Sequence, residues 1–196
     1  AGSAEHPLMA MHLGKALELK QPLRYLGFST CYRREAGSYG RDTQGILRVH
    51  QFNKLELVSF VDPRQSWEEF DFMVEFVGKL LEELKLPYQK VEICSGDISH
   101  AAARQIDYEV WIPSQGKFRE THSISNCTDY QTRSLKIKSS VDNSKQLAHS
   151  LNGTAFALSR ILIAIFENGY DSGTGIITIP EVLAKYCGFK EIKGGK

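Results

Sequence analysis

The stretch Cys31-Tyr-Arg-Arg-Glu-Ala-Gly-Ser-Tyr-Gly-Arg-Asp-Thr-Gln-Gly-Ile-Leu-Arg-Val-His-Gln-Phe52 carries the decisive pattern of this chain. Before it, Tyr25 to Arg33 reads as a strand; at its end, Ile46 to Val58 alternates between apolar and polar residues. The polar loop Ala36 to Gly45 joins them, which predicts an antiparallel hairpin. In the second strand Leu47, Val49, Leu55 and Leu57 would share one face, and Arg48, His50, Phe52, Lys54 and Glu56 the other. Arg33 and Glu35 share a face of the first strand. Two arginines, two glutamates and an aromatic ring can therefore converge on one sheet surface. Arginine suits phosphate, a ring can stack on a base, and a carboxylate accepts from an amine or hydroxyl. A solvated face with cross-strand ion pairs would give the same pattern.

Working outward, Trp67 to Leu84 predicts an amphipathic helix, with Phe70, Met73, Phe76, Val77, Leu80, Leu81 and Leu84 at helical spacing. Lys90 to Ser95, Gln105 to Ile112 and Phe118 to Ser125 read as strands. Thr128 or Asp129 can cap a helix running to about Lys138. The polar segment Lys138 to Lys145 reads as mobile, His149 to Asn152 as a short strand, and Thr154 to Glu167 as a helix apolar almost all round and hence buried. Strands in runs with helices set apart predict an α+β fold built on an antiparallel sheet.

The 196 residues suffice for one substantial core, and 42% hydrophobic with 24% charged residues is ordinary for a globular chain. A formal net charge of +1 gives no global basic field, so any RNA contact must come from a local patch. The four cysteines at 31, 94, 127 and 187 form no C-x-x-C pair, which argues against a zinc knuckle and for a reduced, cytoplasmic setting. No apolar run approaches the roughly 18 residues of a membrane span.

Two further features carry chemistry. Arg160 falls inside the apolar run Ala155 to Phe166, where a guanidinium needs an anion: either a core carboxylate or a ligand. In Arg119-Glu-Thr-His-Ser123, strand alternation puts Glu120 and His122 on one face and Ser123 on the other; a carboxylate beside a hydroxyl suits a hard cation such as Mg²⁺, and an exposed strand end gives the same residues. His100 and His122 lack metal-ligand spacing, and Gly173-Thr-Gly175 lacks the lysine of a phosphate loop.

Tyr32 to Phe52 closely resembles motif 2 of the class II aminoacyl-tRNA synthetases in its seryl form. Gly2-Ser-Ala-Glu5 resembles the Thr-x-Glu serine-binding segment of that family, and Phe118 to Arg133 its seryl-specific stretch. Leu151 to Arg160 resembles motif 3, and Ile179-Pro-Glu-Val-Leu183 the C-terminal end. Five segments in order make the resemblance specific and extend it over nearly the whole chain, residues 1–196 forming a single catalytic domain.

The resemblance implies a six- or seven-stranded antiparallel sheet flanked by helices. It also implies ATP, Mg²⁺, L-serine and tRNA(Ser) as ligands. Arg33, Arg160 and Glu120 would be the catalytic residues. Arg33 would hold the α-phosphate and the substrate carboxylate, Glu35 the adenine amino group, and Phe52 the adenine ring. Arg48 would assist at the phosphates and Arg160 would reach the γ-phosphate. Arg34, Val49, His50, Gln51, Thr121 and His122 complete the implied ATP set, with Glu120 and Ser123 carrying Mg²⁺ on the nucleotide. Glu56, Thr154 and Asn152 would read the serine hydroxyl, while Ser3, Ala4 and Glu5 would surround its ammonium.

The chain departs from the family pattern in several places. Ser3 replaces the usual Thr, Arg34 a small residue, Thr121-His122 a more usual Ile/Val-Ser, and motif 3 keeps only Gly153 of its glycines. Neither a charged coiled-coil arm nor motif 1, which builds the family's homodimer interface, is found in the sequence. The expectation is adenylate formation that is weak at best, with tRNA charging strongly impaired. Arg41 and Asp42 would approach an acceptor stem, and Arg133, Lys136 and Lys138 offer a small basic stripe. Two alternatives stay open: a catalytically idle paralogue acting as a binding module, and a ligase that loads an amino acid onto a carrier protein.

Overall fold

The computed structural model describes residues 1–35, 45–143 and 145–194. In chain order, α1 is Glu5–Ala10, β1 Ala16–Leu17, β2 Leu23–Tyr32, β3 Gln51–Val61 and α2 Ser66–Glu83. Then come β4 Tyr88–Glu92, β5 Arg104–Ile112, β6 Lys117–Asn126, α3 Tyr130–Leu135, β7 Lys138–Ser139 and β8 Gln146–Leu147. The chain continues with β9 His149–Ala157, α4 Leu158–Gly169, β10 Tyr170–Asp171, β11 Ile176–Thr178, α5 Glu181–Cys187 and β12 Glu191–Lys193.

Among the described residues, six strands form one antiparallel sheet in the order β2-β3-β9-β6-β5-β4. Two three-stranded sheets stand apart from it, β1-β7-β8 and β10-β11-β12. Among the described residues no helix is long and apolar enough to cross a membrane. The central sheet has unlike faces. One is covered by α2 and α4: Phe70, Met73, Val77 and Leu81 of α2, with Ile161 and Ile165 of α4, bury Val110, Ile124 and Leu151 of the sheet. Burial of such side chains contributes about 1.5–3 kcal/mol each. The other face changes character along β3. Val58 and Phe60 are sealed under Met9, Leu19, Ile137 and Ala148, whereas Phe52, Lys54 and Glu56, on the same side of the strand, line open clefts.

The predicted hairpin forms, with Tyr32 paired to Gln51 and Leu23 to Phe60. Its second strand, however, begins at Gln51 rather than Ile46. Beyond the Arg33 N–H bond to the His50 carbonyl (2.9 Å) the chain turns away, and Leu47 is buried by packing rather than by strand pairing. Arg48, Val49 and His50 therefore lie on the connecting segment, and strand alternation does not govern where they point. Most of the loop, including Arg41 and Asp42, lies outside the described residues.

Three other boundaries move for tertiary reasons. The helix expected from Thr154 begins only at Leu158, because Thr154 and Phe156 pair with Glu56 and Leu55 of β3 and keep β9 extended. It is also not buried all round, since Leu162 and Phe166 are each 39% exposed. The helix after Asp129 ends at Leu135, where Lys136 takes φ +54° and the Ile137 N–H bonds the Thr132 carbonyl. Lys138 and Ser139, expected in a mobile segment, instead form β7, with the Ser139 hydroxyl donating to buried Asp62 (2.8 Å). The strand expected over Lys90 to Ser95 is Tyr88–Glu92, fixed by its pairing with Ile106–Val110.

Candidate active site

Two clefts meet on the polar part of the sheet. The larger, about 490 Å³, lies over Glu56, Asn152, Thr154, Ser123 and Ser125, and is closed on one side by Ser3 and Glu5. The smaller, about 220 Å³, is lined by Arg33, Glu35, Arg48, Val49, Phe52 and Arg160, among others. Arg33, Lys54, Glu120 and Thr154 face both, so the clefts are one continuous surface with a carboxylate-rich end and a guanidinium-rich end.

Backbone irregularities create this surface. In β9 the residue Ala155 has no partner between the pairs Leu55–Phe156 and Glu56–Thr154, so a bulge sets Thr154 opposite Glu56. In β6 the extra residue is Thr121, between the pairs Tyr108–His122 and Glu109–Glu120. A bulge adds one residue to one strand, so Glu120 and Ser123, on opposite faces of a regular strand, turn to the same cleft. The alternation read from the sequence is corrected here: His122, expected beside Glu120, points the other way. It is fully buried, its ring meets Phe156 edge-on at 5.6 Å, and its Nδ1 bonds the Thr121 hydroxyl (2.8 Å). Burial depresses its pKa to about 4.

Close packing seats the residues of α1 at the carboxylate-rich end. A β-carbon built on Gly27 falls 2.7 Å from Ala4 Cβ and 2.9 Å from Leu8 Cδ1. Only glycine lets α1 lie this close to β2, and Gly27 pairs with Glu56 on β3. The contact brings Glu5 to the sheet, where its Oε1 accepts from Asn152 Nδ2 (3.1 Å) and from Gln131 Nε2. Glu56 is 2% exposed and ion-paired with Lys54; burial pushes its carboxyl up to about 7 against the pull of that lysine.

At the other end, the Arg33 guanidinium carbon sits 5.1 Å above the centre of the Phe52 ring, and Arg33 Nε donates to the Gly2 carbonyl (3.3 Å). Glu35, at φ +52°, is ion-paired with Arg48 (2.5 Å). Arg160 is not buried in mid-helix: it occupies the first turn of α4, with its side chain 25% exposed. It donates to the carbonyls of Glu120 (2.7 Å) and Leu47 (3.3 Å), and its guanidinium lies 3.5 Å from the Glu120 carboxylate. The fork is thereby anchored at the rim of the cleft.

Of the residues singled out in the sequence, Ser3, Glu5, Arg33, Glu35, Arg48, Val49, Phe52, Glu56, Glu120, Ser123, Asn152, Thr154 and Arg160 line the clefts. Arg34, His50 and Gln51 are exposed and line neither, Ala4 is buried on Gly27, and Thr121 and His122 lie inside the sheet. Several lining residues escaped the sequence reading. Lys54 stood on the correct strand face but suggested no role, and Ser99 and Gln105 come from a segment without a motif. Asp107, paired with Ser123, has its carboxyl raised by burial while Ser123 and Gln105 hydrogen-bond it.

Comparison with known proteins bears on the same region. Residues 2–169 match the family model described as tRNA synthetase class II core domain (G, H, P, S and T). A serine–tRNA ligase of Picrophilus torridus is 49% identical over 193 residues, covering 98% of this chain and 44% of that protein. The crystal structure of seryl-tRNA synthetase from Pyrococcus horikoshii complexed with ATP superposes with a TM-score of 0.95 at 46% identity, covering 100% of this chain and 44% of that one. A cytoplasmic serine–tRNA ligase from Naegleria fowleri in complex with AMP gives 0.92 at 42% identity, over 100% and 46% of the respective chains. The chain thus spans less than half the length of these relatives.

Proposed function

The chain belongs to the tRNA synthetase class II core family, and on that premise we propose that it is the catalytic core of a serine–tRNA ligase. It would join L-serine to ATP as seryl-adenylate, releasing pyrophosphate, and the complete protein would pass the seryl group to the 3′ end of tRNA(Ser). The carrying observation is that Arg33 faces both clefts. A serine in the larger cleft and an ATP in the smaller would meet at that guanidinium, the carboxylate of one against the α-phosphate of the other.

The serine carboxylate is the nucleophile and needs no base from the protein. Catalysis is then positioning and charge stabilisation by Arg33 and Arg160, with the adenine over Phe52 in the place that the Arg33 guanidinium now overlies. Glu5 would take the serine ammonium, and Glu56 and Thr154 the hydroxyl. Alanine would leave that buried pair without its partner, which disfavours it. Glu120 and Ser123 offer a carboxylate and a hydroxyl on one face, a donor set suited to Mg²⁺ on the nucleotide, where the ion would neutralise phosphate charge. Residues 1–196 would act as a single catalytic domain, cytoplasmic, and paired with a second copy in the complete protein.

Exchange of labelled pyrophosphate into ATP by the complete protein tests this reading. Exchange that depends on L-serine is expected. Exchange supported by glycine or alanine but not by serine would sink the assignment, and none with any amino acid would favour an idle paralogue.

A further inference from the structure

Gln131 has no role implied by the sequence motifs, yet its side chain holds Glu5, which lines the carboxylate-rich cleft. It sits in α3, and its two amide atoms are committed in opposite directions. The Ser150 hydroxyl donates to its Oε1 (2.8 Å), and its Nε2 donates to Glu5 Oε1. Ser150 is fully buried on β9, so the first contact anchors the amide to the sheet and fixes which end faces Glu5. Asn152 Nδ2, two residues further along β9, reaches the same oxygen at 3.1 Å while also contacting Cys127 Sγ at 3.3 Å. Two amide donors from α3 and β9 thus converge on one oxygen of a carboxylate carried by α1, and Glu5 itself lines the cleft.

From this arrangement we infer that Gln131 is a positioning residue for the amino-acid ammonium: it holds Glu5 by Oε1 and leaves Oε2 to receive the ligand. The inference rests on the proposed serine site and adds to it a specific support. A free glutamate side chain samples several rotamers, and fixing it before the ligand arrives removes that entropy loss from binding. Two neutral donors do this without placing a competing cation beside the carboxylate. The support is specific to the amino-acid end, because the Gln131 amide bonds Ser150 and Glu5 there.

Calorimetric titration of this chain with L-serine and, separately, with ATP tests the inference. Gln131→Met keeps length and loses the donor; it is expected to weaken serine binding about tenfold with ATP affinity unchanged within about twofold. Gln131→Glu, which sets a second carboxylate against Glu5, should weaken it further and serves if the first variant does not fold. On a Glu5→Gln background the Gln131→Met change should have little additional effect, as befits a residue acting through Glu5. Unchanged serine affinity, a parallel loss for serine and ATP, or full additivity on that background would overturn the role. If the unmodified chain binds ATP but no serine, the proposed function itself fails, an outcome distinct from the others.

Discussion

Thr154 stands directly across from Glu56 because β9 carries one unpaired residue, Ala155, immediately after it. That one bulge sets a hydroxyl beside a carboxyl on the cleft floor. Because the Glu56 carboxyl is buried, its protonation is tied to folding.

The pKa of Glu56 rises from 4.5 to about 7 in the folded chain, mainly through burial. A carboxyl raised in this way takes up a proton on folding. Its contribution to stability is fully present below about 4.5 and is lost as pH climbs through about 7. Glu56→Gln should remove this dependence, narrowing the stability difference between pH 5 and pH 8 by on the order of 3 kcal/mol. Urea denaturation at the two pH values measures it, and parallel pH profiles for both proteins would refute it.

Gly27 is where α1 touches the sheet. A valine there must push Ala4 and Leu8 away, at a cost of about 1–3 kcal/mol. Since Glu5 rides on α1, serine affinity should fall much more than ATP affinity. Equal losses of the two would show that α1 does not serve the amino-acid end alone.

Arg160 is anchored by two backbone carbonyls and presents its charge to the guanidinium-rich cleft. Arg160→Ala should reduce ATP affinity by at least about tenfold. Arg160→Lys should recover only part of the loss, because a lysine cannot hold both carbonyls and a phosphate with one fork. ATP titration of the variants decides the point; wild-type affinity in Arg160→Ala would leave this arginine a purely structural role.

A structural ion pair away from the clefts offers a control. The carboxylate of Glu69, 1% exposed, receives two bonds from Arg24 (2.7 and 2.8 Å) and one from Ser59 (2.6 Å). Arg24→Ala strands that carboxylate and should destabilise the fold by about 2–4 kcal/mol, with serine and ATP affinities unchanged at temperatures where the chain is folded. Thermal denaturation that is unaltered by the change would contradict it.

Much of this was legible along the chain. The hairpin, the amphipathic α2 and the strand character of β5 and β6 follow from local periodicity and turn chemistry, which act over a few residues. The five segments from Gly2 to Leu183 pointed to the family because they name chemical groups in a fixed order. The apolar residues Leu47 and Val49 misled, since burial of a side chain on a connecting segment leaves the same trace as a strand face. The run from Thr154 misled for the converse reason, its first residues being held in a strand by a partner about a hundred positions away.

The sequence by itself determined which groups are available: guanidinium at Arg33 and Arg160, carboxylate at Glu5, Glu56 and Glu120, hydroxyl at Ser123 and Thr154. Only the tertiary structure decided that they share one surface. The bulges at Thr121 and Ala155, the seat of α1 on Gly27, and the grip of Gln131 on Glu5 all depend on pairing and packing between distant segments. Such register is set by how whole strands bury their apolar faces against α2 and α4, a balance that no local stretch of residues contains.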